Sequence, residues 1–171
     1  MPRIQRPIPI TLLAWFAMLA WDFLLHGGLL ARFYVAGDPV LLSPLEAFQR
    51  IPLGYASFLL LAGLLVWLMP RFELPNWRSA LGFGLKMGAL LWGSFVLGLV
   101  SIVRFDIFLA AGWFVGQSLG LGIGAVAVQQ AAAASNLKRV TRFVVLSFFL
   151  CASFTVLLQS TGLAPALKLT P

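Results

Sequence analysis

Two residues in this chain have both the types and the spacing for chemistry. Asp22 and His26 stand four apart within a long apolar run, which puts them on one face of a helix. A carboxylate can orient an imidazole, and imidazole titrates near neutral pH, so the pair can relay protons. The same groups can instead hold a cation or a polar ligand. They can also pair with a nearby arginine and serve only to keep helices in register. An ionisable side chain in such a run is costly to place in lipid, which makes it a functional candidate by default. Gly27 and Gly28 follow His26 and leave room for another backbone to approach.

Other polar groups belong to the same level of the chain. At ~1.5 Å per residue, Asp22 lies ~20 Å from the start of its helix. Counting from the other apolar runs brings Tyr55, Ser94, Ser101 and Gln117 to a similar depth, with Arg50 and Arg104 just beyond. The expectation is an outward-facing polar pocket built from Asp22, His26, Glu46, Arg50, Tyr55, Arg104 and Gln117. Lys86 is also ionisable and within an apolar run, but it falls ~10 Å from Asp22 in depth and is expected to snorkel toward headgroups.

Several chemistries lack their residues. A zinc site needs three or four N, S or O ligands, and one His, one Cys and five scattered acidic residues do not supply one. A haem held by two histidines would need His26 from two chains, so no metal and no cofactor is expected. There is no Ser-His-Asp order, no phosphate-cradling glycine loop and no Cys-x-x-Cys pair. Cys151 sits in an apolar run and reads as a small buried residue. The net charge is +7, but the basic residues are dispersed singly between apolar runs. Nucleic acid is therefore not an expected partner; these residues read as topology signals and lipid anchors.

The elements that must position these groups follow from composition. Hydrophobic residues make up 61% of the chain and charged ones 10%, against ~45–50% and ~25% in soluble chains. So few charges cannot cover a water-exposed surface. The fold class expected is an all-α polytopic membrane bundle in one domain, residues 1–171. Crossing the hydrocarbon takes about 20 apolar residues, and five runs qualify: 8–31, 52–69, 79–103, 106–134 and 140–162. The first is long, carries Asp22 and His26, and lacks a small-x-small cleavage site, so it is expected to be retained as an anchor rather than removed as a signal peptide.

Punctuation suggests the ends. Ser43-Pro44-Leu45-Glu46 matches a capping box, so a short interfacial helix is expected over Pro44–Arg50. Pro52 disfavours helix at Ile51 and should bend the chain there. Glu46 then serves as a cap or as a ligand, with Arg50 one turn on to pair with it. Asn76 or Ser79 should cap the third span, Asn136 should stop the fourth, and Gly162 and Pro165 close the fifth. Arg3, Arg6, Arg71, Arg78, Lys138, Arg139 and Arg142 collect on one side, against Arg32, Arg50, Arg104 and Lys168 on the other. The excess places the N-terminus in the cytoplasm.

Gly112, Gly116, Gly120 and Gly124 repeat every four residues, and small residues at such spacing let helices approach in lipid. Ala80, Gly84 and Gly88 offer a second small face, expected to meet the Gly120–Gly124 end of the stripe. A homodimer seam is the competing use. Three functions remain open: an accessory module binding a partner or lipid in the bilayer, a small proton-coupled carrier using Asp22 and His26, and an enzyme acting on a lipid or quinone headgroup with Asp22, His26 and Glu46. No internal repeat of the transporter kind is present. The chain has the general look of small bacterial multi-pass proteins, for which the inner (plasma) membrane is the expected location.

Overall fold

In an apolar medium every backbone N–H and C=O has to be satisfied within the chain, and a helix does this segment by segment. The computed structural model describes residues 4, 6–35, 41–104 and 106–165, and it turns each long apolar run into helix. Helix α1 (Pro7–Leu24) continues through a wide π turn (Leu25–Leu29) into the short α2 (Ala31–Val35). Helix α3 (Pro44–Leu68) ends in a 3-10 turn (Met69–Arg71). Helices α4 (Trp77–Ile102), α5 (Ile107–Ala133) and α6 (Leu137–Ser160) follow. No strand occurs among the described residues. Five segments are long and apolar enough to cross a membrane: Pro7–Leu29, Leu45–Arg71, Trp77–Ile102, Ile107–Ala133 and Leu137–Ser160. Their number and apolarity point to an integral membrane protein.

Side-chain oxygens start four of these helices, α3 to α6, by taking up amide N–H groups that have no helical partner. Asn76 accepts from the amides of Arg78 (3.0 Å) and Ser79 (3.1 Å). Asp106 accepts from Leu109 N–H at 2.8 Å. Asn136 accepts from Lys138 N–H at 2.9 Å with φ −133°. Asn136 therefore opens α6 and does not, as expected, stop α5 in a left-handed conformation. Among the described residues the left-handed positions are Gly162 (φ 74°), just past the end of α6, and Arg6 (φ 67°), just before α1.

The separate interfacial helix is also corrected. Ser43 and Glu46 do form the capping box, with Ser43 Oγ donating to Glu46 Oε2 at 2.7 Å, but the helix they open runs unbroken through Pro52 to Leu68. A proline ring deprives the helix of one hydrogen bond, at a cost of ~3 kcal/mol. In an apolar medium, breaking the helix would strand several backbone groups at several kcal/mol each. The single lost bond is the smaller cost. Residues 51–57 are all exposed, so no neighbouring helix crowds the ring.

Helices α1 and α5 form the centre. Helix α1 packs against α3, α5 and α6, while α4 leans chiefly on α5, and α6 barely touches α5. Half of the apolar window of α5 is buried, against 11% for α4 and for α6. Glycines make this centrality possible, in an arrangement other than the expected one. The Gly112–Gly124 stripe faces α1 and the turn after it. A Cβ there would strike Leu30 at Gly112, Leu25 at Gly116, Trp21 at Gly120 and Met18 at Gly124. The stripe is thus a row of sockets for large side chains. Ala80 is fully buried. Gly84 and Gly88 meet a different face of α5, where their Cβ atoms would lie 2.7 Å from Gly122 Cα and 2.5 Å from Ser118 Cα. Ser118 stands two residues from Gly116 and from Gly120, ~200° around the helix, so α5 carries small residues on two faces.

Candidate functional site

The polar cluster is assembled where α1 gives way to the π turn. The turn is closed by Leu30 N–H donating to Leu25 C=O at 2.8 Å, five residues back, and such wide turns recur at functional sites. Helix α6 closes on its outside. A Cβ at Gly27 would lie 3.1 Å from Thr155 Cγ2, and one at Gly28 would lie 3.0 Å from Leu158 Cδ1. Gln159 Nε2 donates to the Gly27 carbonyl at 2.9 Å. On the α5 side, Trp21 Nε1 donates to the Gly116 carbonyl at 2.7 Å, which places Asp22 and His26 beside Gln117.

Asp22 Oδ1 and His26 Nε2 are 3.1 Å apart. Gln117 Nε2 donates to the same Oδ1 at 3.0 Å and lies 3.0 Å from His26 Nε2. His26 Nδ1 bonds to the Tyr34 hydroxyl, which accepts from Trp113 Nε1 at 2.6 Å. The donor inventory gives this network a direction. Indole N–H can only donate, so Trp113 occupies a lone pair of the Tyr34 oxygen. A carboxylate only accepts, so the ring proton sits on Nε2 facing Asp22 Oδ1, and Nδ1 accepts from the Tyr34 hydroxyl. The order is Trp113 to Tyr34 to His26 to Asp22, with Gln117 Nε2 donating to Asp22 Oδ1 and not to the protonated ring nitrogen. Burial pushes the Tyr34 phenol well above its ordinary range, an effect that Asp22 reinforces and the Trp113 bond opposes. Tyr34 is therefore held as a neutral hydroxyl.

Gln117 is 5% exposed, while the side chains of Asp22 and His26 are 19% and 31% exposed. Both partners of Asp22 use Oδ1. Among the described residues Oδ2 has no hydrogen-bond partner, and no buried side-chain polar atom is left without one. That oxygen is accordingly reached from outside the network.

Of the expected pocket, the structure brings together Asp22, His26 and Gln117. Glu46, Arg50, Tyr55 and Arg104 are exposed, and none of their side chains bonds to that trio. Glu46 is spent on its own cap. Tyr55 contributes only its backbone carbonyl, to Trp15 Nε1 at 2.8 Å. Ser101 bonds within its own helix, to Gly98 C=O, and Ser94 and Lys86 are exposed. Depth along a helix could be counted from the sequence, but the direction each side chain points could not. Tyr34, Trp113, Trp21 and Gln159 are the members that the counting missed. Tyr34 lies eight residues after His26, a helical-face spacing that was a usable signal.

Among the described residues no three of His, Cys, Asp and Glu converge on a point. Compared with known proteins, the chain matches no family model, no curated protein and no solved structure at a significant level.

Proposed function

We propose that the chain is a five-span protein of a bacterial inner membrane, N-terminus in the cytoplasm, that carries protons at the Asp22–His26 pair. The observation behind this reading is the lopsided use of the Asp22 carboxylate: one oxygen takes His26 and Gln117, and among the described residues the other has no partner, on a side chain 19% exposed. A carboxylate that only holds helices together is expected to spend both oxygens on protein partners. A proton arriving at Oδ2 turns Asp22 from a pure acceptor into a partial donor and weakens its hold on both neighbours. His26 passes its Nε2 proton to Oδ1 as Oδ2 releases its own to water, and the ring regains a proton at Nε2 from water at its partly exposed edge; Tyr34 keeps its hydroxyl proton and only orients Nδ1. Gln117 reports the change to α5. Asp22 is the acceptor, His26 the relay, Gln117 the steering group, and Tyr34 with Trp113 the orienting pair. The cytoplasmic N-terminus rests on the excess of Lys and Arg at that end of the spans.

The test is proton flux into vesicles holding the purified protein and an internal pH dye. The wild type should collapse an imposed pH gradient, and D22N and H26Q should not. Flux equal to that of empty vesicles, or an active D22N, would overturn the proposal.

A second reading, an accessory module seated on a membrane partner, is favoured by α4, which leans chiefly on α5 and leaves Leu90, Phe95, Leu97 and Ile102 uncovered. A stable partner copurifying in mild detergent supports it, and a lone monodisperse monomer counts against it. The headgroup-enzyme reading needed Glu46 beside Asp22 and His26, and the placement of Glu46 in its cap gives it no support.

A further inference from the structure

Helices α5 and α6 are joined by residues 134–136, yet α6 leans on α1 and the π turn and diverges from α5. Between them, at the end where they are linked, lies a lateral groove of about 700 Å³, within the ~300–1,000 Å³ of ordinary ligand pockets. Its lining changes along its length. At the linked end stand Gln130, Asn136 and Arg139; further along stand Ile123, Val126 and Phe143. From Gln130 to Ile123 the change from polar to apolar takes ~10 Å of helix.

The polar end has unused donors. The Arg139 guanidinium lies 5.8 Å from the Phe143 ring centroid and has no carboxylate partner among the described residues. Asn136 spends its carboxamide oxygen on Lys138 N–H, which leaves its NH2 as a donor. No acidic residue lines the groove. A groove with cationic donors at one end and an apolar trough beyond has the polarity order of a phospholipid standing in the leaflet. The surrounding excess of Lys and Arg selects a negatively charged headgroup.

We infer that this groove seats one anionic phospholipid, its headgroup phosphate on Arg139 and Asn136 and an acyl chain between α5 and α6. The inference rests on the membrane insertion proposed above and is independent of proton carriage. A second copy or a partner helix in the same place would have to bury the Arg139 charge against apolar surface, which is unfavourable without an acid to meet it.

The experiment is native mass spectrometry of the full chain with phosphatidylglycerol and phosphatidylcholine of matched acyl chains. The wild type should retain phosphatidylglycerol about tenfold better, and R139Q should reduce that preference to about twofold or less. R78Q, a charge outside the groove, should leave the preference intact. V126W, which fills the trough from the α5 side, should abolish retention of both lipids. Equal retention of the two lipids by the wild type, an R78Q effect as large as that of R139Q, or undiminished binding by V126W overturns the inference. So does a two-chain mass that excludes lipid. D22N should bind phosphatidylglycerol normally, which separates failure here from failure of proton carriage. Release of the protein from membranes by alkaline carbonate would remove the footing of both.

Discussion

Replacing Gly88 by alanine should loosen α4 from the bundle, whereas the same change at Gly82 should tighten it. The Cβ of an alanine at 88 would lie 2.5 Å from Ser118 Cα and 2.9 Å from Ser118 O. Both atoms are backbone, so no rotamer change relieves the contact, and the two helices must move apart by roughly 1 Å. A gap of that size forfeits a quarter to a half of each contact's dispersion energy, and it spreads to the neighbouring Gly84 and Ala80 positions. Overpacking of this kind costs ~1–3 kcal/mol, while alanine returns ~1 kcal/mol in helix propensity. The net loss is ~0–2 kcal/mol, toward the upper end here because both struck atoms are backbone. At Gly82 nothing lies within 4 Å of the added carbon, so only the propensity gain of ~1 kcal/mol remains. With ~2–4 °C per kcal/mol for a chain of this size, G88A should melt several degrees below wild type and G82A a few degrees above. Thermal unfolding followed by circular dichroism in a mild detergent measures both. A G88A protein as stable as G82A would show that α4 and α5 do not meet at these residues.

Two further substitutions address the cap and the relay. S43A removes the capping box that opens α3 and should cost ~0.5–2 kcal/mol, felt as faster amide exchange at Glu46 and Ala47 with α5 unchanged; unaltered exchange would mean that the cap does not hold this end. Y34F deletes the hydroxyl that joins Trp113 to His26, so the 15N signals of the ring should leave the Nε2–H pattern, cleanly observable because the chain has one histidine; unchanged signals would refute the proton order drawn for the network.

Apolar length made the five long helices legible, since lipid allows the backbone few alternatives. The Ser43–Glu46 capping box and the Asn76 cap could be read because they are local. Errors arose where two local rules competed or where a partner was distant. Pro52 argued for a break, but the cost of stranded backbone groups overrode it. Asn136 suits both the end of one helix and the start of the next, and the amide of Lys138 decided between them. The glycine stripe was plain in the sequence, but which neighbour it served depended on the packing of α1, about a hundred residues away. The polar site shows the same division. The Asp22–His26 spacing is a helix property and is readable directly. Gln117 was found by depth, Tyr34 could have been found by face, and Trp113 had no signal apart from the fold.

The central position of α1 has a consequence for biogenesis. The bond from Gln117 to Asp22 joins residues 95 apart in sequence, and α6, which closes over the π turn, is made later still. At a synthesis rate of ~5–20 residues per second, ~5–20 s separate the two partners. During that interval the first span is in place with its carboxylate and imidazole still lacking the glutamine that will hold them. Under the membrane insertion proposed above, the insertion machinery, or water at the bilayer surface, has to shelter the pair until α5 arrives. A ribosome-stalled chain ending before Gln117 should therefore hold its first span shallow or in the translocon, and a chain extended past α6 should release it into the bundle.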